Sequence, residues 1–339
     1  MDVSARPLVS IIMAAKDTAP YLRECLDSIL AQSYSHWELI AVNDHSEDDT
    51  PVILDEYARR DNRIRIFHSQ RPKLIPTLKE GYPHVRGELL NRMDSDDRMP
   101  PDKLEVMVNE WLKYGRGHVV AGGTEHFVDE GEVGGGFRRY EEWLNEVART
   151  STHWQQIYQE CVIPSHCWLI HREDFEAVGG FDPEIYPEDY DLCFRMYAHR
   201  LKVVGLDKIL HQWRDRSNRI SRTWHEYKDN RYFDMKLHYF YRIDRQTHRP
   251  LVIWGAGRNG KDLVKRVLDY EPNIRWVCDN ERKIGQDVYG IIMQSYTDIP
   301  HMEIAQLLIA VTSPSEKALI RQQLDTWGKH PVKDYWFFI

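Results

Sequence analysis

The 339-residue sequence has no paired-cysteine pattern: its five cysteines, Cys25, Cys161, Cys167, Cys193 and Cys278, are scattered, odd in number and never spaced C-x-x-C. That excludes a disulfide-stapled scaffold and sets the expectation of a reducing, cytoplasmic setting. No segment approaches the roughly 18 apolar residues of a membrane span. The N-terminal apolar run before Lys16 is too short for a signal-peptide core with its cleavage site. A membrane-borne substrate would therefore be met by peripheral contact at the surface. Basic excess is missing too, with 45 Lys and Arg against 53 Asp and Glu and a formal net charge of -8. A general nucleic-acid binder needs a basic field over the domain, so that class is set aside. Internal repeats and low-complexity tracts are absent, and nothing in the sequence sets an oligomeric state.

What is present is an alternation of short apolar runs and amphipathic stretches. "LVSIIMAA" (8–15), "WELIAVND" (37–44) and "RIRIFHS" (63–69) read as strands. Between them, residues 20–34 place Leu22, Cys25, Leu26, Ile29 and Leu30 at helical spacing, and residues 50–60 read as a helix with Thr50 as N-cap and Pro51 after it. This spacing predicts a mostly parallel sheet with helices on its faces. Ligands of such sheets sit beyond the carboxyl ends of the strands. Residues 87–97 form a further strand that ends in "NRMDSDDRMP", with the helix "PPDKLEVMVNEWLKYG" next. After it come a strand with a Gly-rich loop (115–136), a helical stretch (140–160), a strand-like segment (161–174) and a second acidic cluster opening a helix (190–200). The pattern restarts near Pro250, so the expected division is 1–245 and 246–339. The second domain is a smaller α/β unit.

Asp94, Asp96 and Asp97 put three carboxylates within four positions at a strand end. Helix capping needs only one of them. Three together repel unless a positive group neutralises them, and a hard divalent cation, Mg²⁺ or Mn²⁺, holding a diphosphate is an economical neutraliser. A nucleotide-diphosphate substrate follows from that reading.

The stretch from Val9 through "LNRMDSDD" to "GGFDPEIYPEDYDLCFRM" resembles the inverting GT-A glycosyltransferases of family 2, over roughly residues 7–222. The resemblance implies a GT-A (nucleotide-diphospho-sugar transferase) fold and metal-dependent transfer of a sugar to a glycan or lipid-linked saccharide in polysaccharide or glycoconjugate synthesis. It implies Asp44 at the nucleotide base with Asp17 beside the same pocket, Asp94 at the ribose and metal, and Asp96 on the metal of the diphosphate. Asp97 would orient Asp96 or cap the next helix. Arg71 and Lys73 fall in a loop that touches the nucleotide in relatives, though a solvated basic turn explains them equally well. The same resemblance implies Asp189 as the catalytic base, with Glu188 beside it. The chain departs from its relatives at Ala14-Ala15-Lys16-Asp17, which loosens the usual preference for UDP and leaves GDP or dTDP as alternatives. It departs again at Arg216, which stands where a histidine is usual. Arg214, Arg216, Arg219 and Arg222 would then close over the diphosphate, since guanidinium forks suit phosphate oxygens. His211 is a candidate late ligand. Trp143, His153, Trp154, His166 and Trp168 are candidates for acceptor contact, each with a core role as the competing reading.

In the second domain "GAGRNG" (255–260) follows a strand and opens a helix, and Asp279 ends the next strand. Gly255, Gly257 and Gly260 thus match a dinucleotide-type turn in its proper context. The segment resembles Rossmann-like modules appended to sugar-modifying enzymes. It is too short for a full dehydrogenase, so nucleotide binding or partner docking is expected there. Two competing whole-chain readings are a sugar-1-phosphate nucleotidyltransferase and a nucleotide-regulated scaffold. The first needs a Gly-rich basic loop after the first strand, where "AAKDTAP" stands instead.

Overall fold

The computed structural model describes residues 6–216, 232–302 and 304–339. Arg219 and Arg222 lie outside the described residues. The chain forms two compact units, Met1–His153 with Val162–Tyr227, and Trp154–Cys161 with Lys228–Ile339. Among the described residues no helix is long and apolar enough to cross a membrane. All five cysteines are free and buried.

The first unit is built on a seven-stranded sheet. Its strands are β1 (Val9–Ala15), β2 (Trp37–Asn43), β3 (Ile64–His68), β4 (Leu89–Arg92), β5 (His118–Phe127), β6 (Trp168–His171) and β7 (Lys202–Arg214), in the order β3-β2-β1-β4-β6-β5-β7. β1, β2, β3 and β4 run parallel, and β6 is antiparallel to both β4 and β5. β2 is buried at every position, as a strand covered on both faces must be. Helix α1 (Ala19–Leu30) turns Leu22, Cys25, Leu26 and Ile29 onto the sheet, the spacing read in the sequence. These side chains join β1, β2 and α4 (Lys103–Tyr114) in one core that also holds Trp37, Met107 and Leu169.

Local differences from the sequence reading have physical causes. Thr50 is the first residue of α2 (Thr50–Arg60) rather than its cap. Its hydroxyl accepts from Thr18 N at 2.9 Å, and Asp48 accepts from Thr50 N at 2.9 Å in its stead. After the short helix α3 (Leu74–Gly81), the expected Gly-rich loop is cut short by α5, which begins at Gly135 and runs to Thr150. Only Trp168–His171 of the strand-like segment 161–174 pairs as a strand. Helix α6 spans Glu188–Ala198. The segment His211–Arg214 is the end of β7, held against β5 with Phe127 opposite Arg214.

The second unit contains α7 (Phe233–Tyr239) and a parallel sheet in the order β12-β9-β8-β13-β14. Its strands are β8 (Leu251–Trp254), β9 (Ile274–Cys278), β12 (Gln294–Ser295), β13 (Gln306–Ile309) and β14 (Tyr335–Phe337), with a small pair β10 (Asp287–Val288) and β11 (Ile291–Ile292) apart from them. Helices α8 (Arg258–Leu268) and α9 (Pro314–Thr326) complete it. Val252, Val277, Leu307 and Leu324 belong to its core.

Candidate active site

Because β1, β2, β3 and β4 are parallel and in register, their carboxyl ends share one edge of the sheet. Every donor-side residue anticipated up to Asp97 follows one of those four strands. The backbone there is unusual. Asp17, His45 and Lys73 take φ of 48°, 53° and 96°, left-handed values that non-glycine residues hold only when their surroundings impose them. The surroundings are visible. The exposed Asp17 accepts from Glu47 N at 2.8 Å and so pins the loop after β2. Asp44, only 3% exposed, accepts from Lys73 N at 3.1 and 3.2 Å with its two oxygens. Its carboxylate thus shapes the loop after β3, whose Arg71 side chain is exposed and paired with Glu80 at 3.1 Å.

The three carboxylates of the cluster have three environments. Asp94 lies 3.1 Å from Arg92 Nη2, and its second oxygen is 3.6 Å from His166 Nδ1. Burial raises its carboxyl, but Arg92 and then His166 pull it further the other way, to well below the usual carboxylate range. Asp96 pairs with Arg216 Nε at 2.8 Å. Asp97 is buried and accepts from Arg214 N and from His211 Nε2, both at 2.8 Å. It does not cap α4, which starts only at Lys103; it fastens the cluster to β7 instead. Repulsion at Asp94 and Asp96 is therefore relieved by arginines, a neutraliser not evident from the cluster's own sequence.

Arg214 is almost wholly buried. Its guanidinium donates to Asp96 O at 2.7 Å and pairs with Glu24 and Asp129, so it serves the architecture of the loop. His211 has a comparable role, its Nδ1 lying 3.3 Å from Lys103 Nζ. Burial pushes the Lys103 ammonium down to about 8 and the His166 ring down to about 3. Among the described residues, neither buried nitrogen of His166 has a hydrogen-bond partner.

Donor atoms of Asp97, His166 and His211 lie within 4.8 Å of one another, close enough to hold a metal ion. The two rings, however, are stacked at 3.6 Å with planes 18° apart. Imidazole lone pairs lie in the ring plane, so both rings reach a common ion only if one of them turns. Asp94 and Asp96 offer hard oxygen donors with side chains 27% and 14% exposed, the chemistry and access that Mg²⁺ or Mn²⁺ requires. At Asp96 such an ion would share the carboxylate with Arg216.

Glu188 and Asp189 open α6, where acidic groups complement the helix N-terminus. Both line a pocket together with Ile75, Arg92, Ser165 and Trp168. Glu188 Oε1 lies 3.2 Å from Arg92 Nη1. The structure thus brings the second acidic cluster to the edge that carries the first. Of the aromatic candidates, Trp168 lines this pocket and His166 sits beside Asp94. Trp143 and Trp154 are half-buried, and His153 is buried with its ring pushed down to about 4 by burial alone. Arg92 and Lys103 were missed in the sequence. Arg92 at the head of an acidic run was a signal available there.

In the second unit Gly255 has a φ of 127°, and a Cβ at Gly260 would fall 2.0 Å from Gly255 O. Both glycines are required by the chain itself. A Cβ on Gly257 would meet nothing within 4 Å. Asp279 is exposed directly after β9.

The glycosyl transferase family 2 profile matches residues 10–179. The putative glycosyltransferase EpsH of Bacillus subtilis (strain 168) is 39% identical over 102 residues, 30% of this chain and 30% of the relative. The uncharacterized glycosyltransferase EpsJ of the same strain is 40% identical over 224 residues, 63% of each chain. The chain thus spans less than two thirds of the length of either relative. Among solved structures, S. aureus TarS 1-349 in complex with UDP-GlcNAc has a TM-score of 0.53 at 13% identity, over 87% of this chain and 78% of that one. That likeness is one of fold, the GT-A arrangement of a mostly parallel sheet.

Proposed function

The chain belongs to glycosyl transferase family 2, and from that premise we propose that it moves a sugar from a nucleotide-diphosphate donor to a saccharide or lipid-linked saccharide acceptor, inverting the anomeric centre. The observation that carries this reading is the meeting of two acidic stretches, far apart in sequence, at one guanidinium: Arg92 pairs with Asp94 on one side and with Glu188, the neighbour of Asp189, on the other. Asp44 and Asp17 shape the nucleotide end, and Asp94 faces the ribose. Arg71, Lys73 and Arg216 meet the phosphates, and Arg214 holds the loop that carries Asp96. UDP is the first donor nucleotide to test, a choice supported by the UDP-GlcNAc held by TarS; GDP and dTDP follow.

Asp94 and Asp96 would hold a divalent cation, Mg²⁺ or Mn²⁺, which when bound stabilises the charge developing on the leaving diphosphate. The chain's own contribution to the chemistry is Asp189. Its carboxylate takes the proton from the acceptor hydroxyl as that oxygen attacks the anomeric carbon, and no second carboxylate is needed as nucleophile. One displacement inverts the configuration. Replacing Asp189 with Asn should lower kcat by about 10²–10⁴-fold, the usual worth of a general base, while calorimetry shows nucleotide affinity unchanged. Retained turnover in that variant would remove Asp189 from the role.

For the second unit we propose an anion-binding turn at Gly255, Gly257 and Gly260 with Asp279 nearby. The turn lies where the strand order reverses between β8 and β13, the usual ligand position in an open parallel sheet. The open space at Gly257 supports a phosphate group approaching the backbone there.

A further inference from the structure

We propose that Arg92 is a positioning residue that sets the distance between the donor-binding strand end and the helix that carries the base. The inference rests on the sugar-transfer reading above. Arg92 ends β4 and is 6% exposed. Its Nε and Nη2 lie 3.2 and 3.1 Å from Asp94 Oδ1, and its Nη1 lies 3.2 Å from Glu188 Oε1. Glu188, 8% exposed, is the first residue of α6, and Asp189 is the second. One guanidinium therefore joins two carboxylates 94 positions apart in the sequence, and the carboxylate of Asp189 adds to the field that keeps it charged.

Burying the Arg92–Glu188 pair is costly, and a well-packed apolar set of similar volume would stabilise a fold equally well or better. A role in stability alone is thus a weak account of the arrangement. Geometry supplies a better one. A guanidinium is planar and presents N–H groups on diverging edges, so it can hold two carboxylates at a fixed separation, which a lysine point charge cannot do. Asp94 belongs to the donor side and Asp189 to the acceptor side. A shift of about 1 Å between such groups is enough to cost about 10²-fold in rate. The link is also sheltered, since Arg92 and Glu188 are both buried.

The test uses four full-length variants, Arg92→Lys, Arg92→Met, Glu188→Gln and Arg92→Met/Glu188→Gln. For each, kcat and donor KM, nucleoside-diphosphate affinity by calorimetry, and the urea midpoint would be measured. Arg92→Met should lower kcat by about 10²-fold, with a smaller change in nucleoside-diphosphate affinity, and Arg92→Lys should recover part of the loss. The double variant should be no slower than the poorer single one, because both changes cut the same link. Losses that multiply in the double variant would overturn the proposal. If Arg92→Met fails to fold, Arg92→Lys and Glu188→Gln decide: two folded proteins with wild-type kcat would overturn it as well. Failure of the wild type to transfer sugar from any nucleotide donor would instead count against the sugar-transfer reading. Coupling between Arg92 and Glu188 in the urea midpoints would still report the link.

Discussion

Asp94, Asp96 and Asp97 fall within four positions of sequence yet meet an arginine with a histidine, an arginine, and a strand backbone with a histidine, respectively. Their identical chemistry made the site legible in the sequence. Their division of labour was not, because it is set by Arg92 at the end of β4 together with His166, His211, Arg214 and Arg216, which lie far from the cluster in sequence. Asp97→Ala should therefore be the structurally damaging change. It strips the buried partner from Arg214 N and His211, at a cost of about 3 kcal/mol, read as a lowered urea midpoint. Asp96→Ala, at a more open position, should cost less. The buried histidines give a second expectation at this scale. Folding holds His153 at about 4 and His166 at about 3, below the ordinary value of 6.5. Above about 6.5 the folded and unfolded chains both carry neutral rings. As pH falls below that, the unfolded chain takes up protons that the folded one refuses until about pH 4, so stability declines across this window. Urea denaturation at pH 7 and pH 5 should show the loss, and His153→Phe should make it shallower.

Apolar periodicity located most elements, and it failed where a partner outside the local window decided the outcome. The run 211–214 carries His, Gln, Trp and Arg with no apolar alternation; pairing with β5 and the two hydrogen bonds between Arg98 and Gln212 make it a strand. Thr50 looked like a cap because its type and spacing were right, and Asp48 took the acceptor role through a turn that no helical pattern encodes. The glycine turn before α8 was fully legible, since the strand, the turn residues and the helix all carry local signals. Its glycines separate in a testable way. Gly260→Ala places a Cβ against Gly255 O and should destabilise the second unit by about 1–3 kcal/mol. Gly257→Ala should leave thermal stability unchanged while weakening phosphate binding at the turn.

Taken whole, the chain joins a family 2 glycosyltransferase sheet to a second parallel sheet of five strands. The alternation of strands and helices foretold both sheets. The antiparallel insertion of β6 between β4 and β5 was beyond sequence reading, because pairing partners at long range leave no local trace. That insertion brings Trp168 and the neighbouring His166 alongside the strand end that carries Asp94. The profile match ends at residue 179, before α6, so the place of Glu188 and Asp189 in the site rests on their shared pocket with Arg92. On the proposed reading Asp94 and Asp96 bind a nucleoside diphosphate with a divalent cation. Calorimetric titration of UDP, GDP and dTDP into the wild-type chain and into Asp96→Ala, each with Mn²⁺ and with chelator, tests it most directly. At least one nucleotide should bind the wild type with Mn²⁺, and its affinity should fall about tenfold or more, some 1.4 kcal/mol, when either the cation or Asp96 is removed. Binding of none of the three, or binding indifferent to both cation and Asp96, would contradict it.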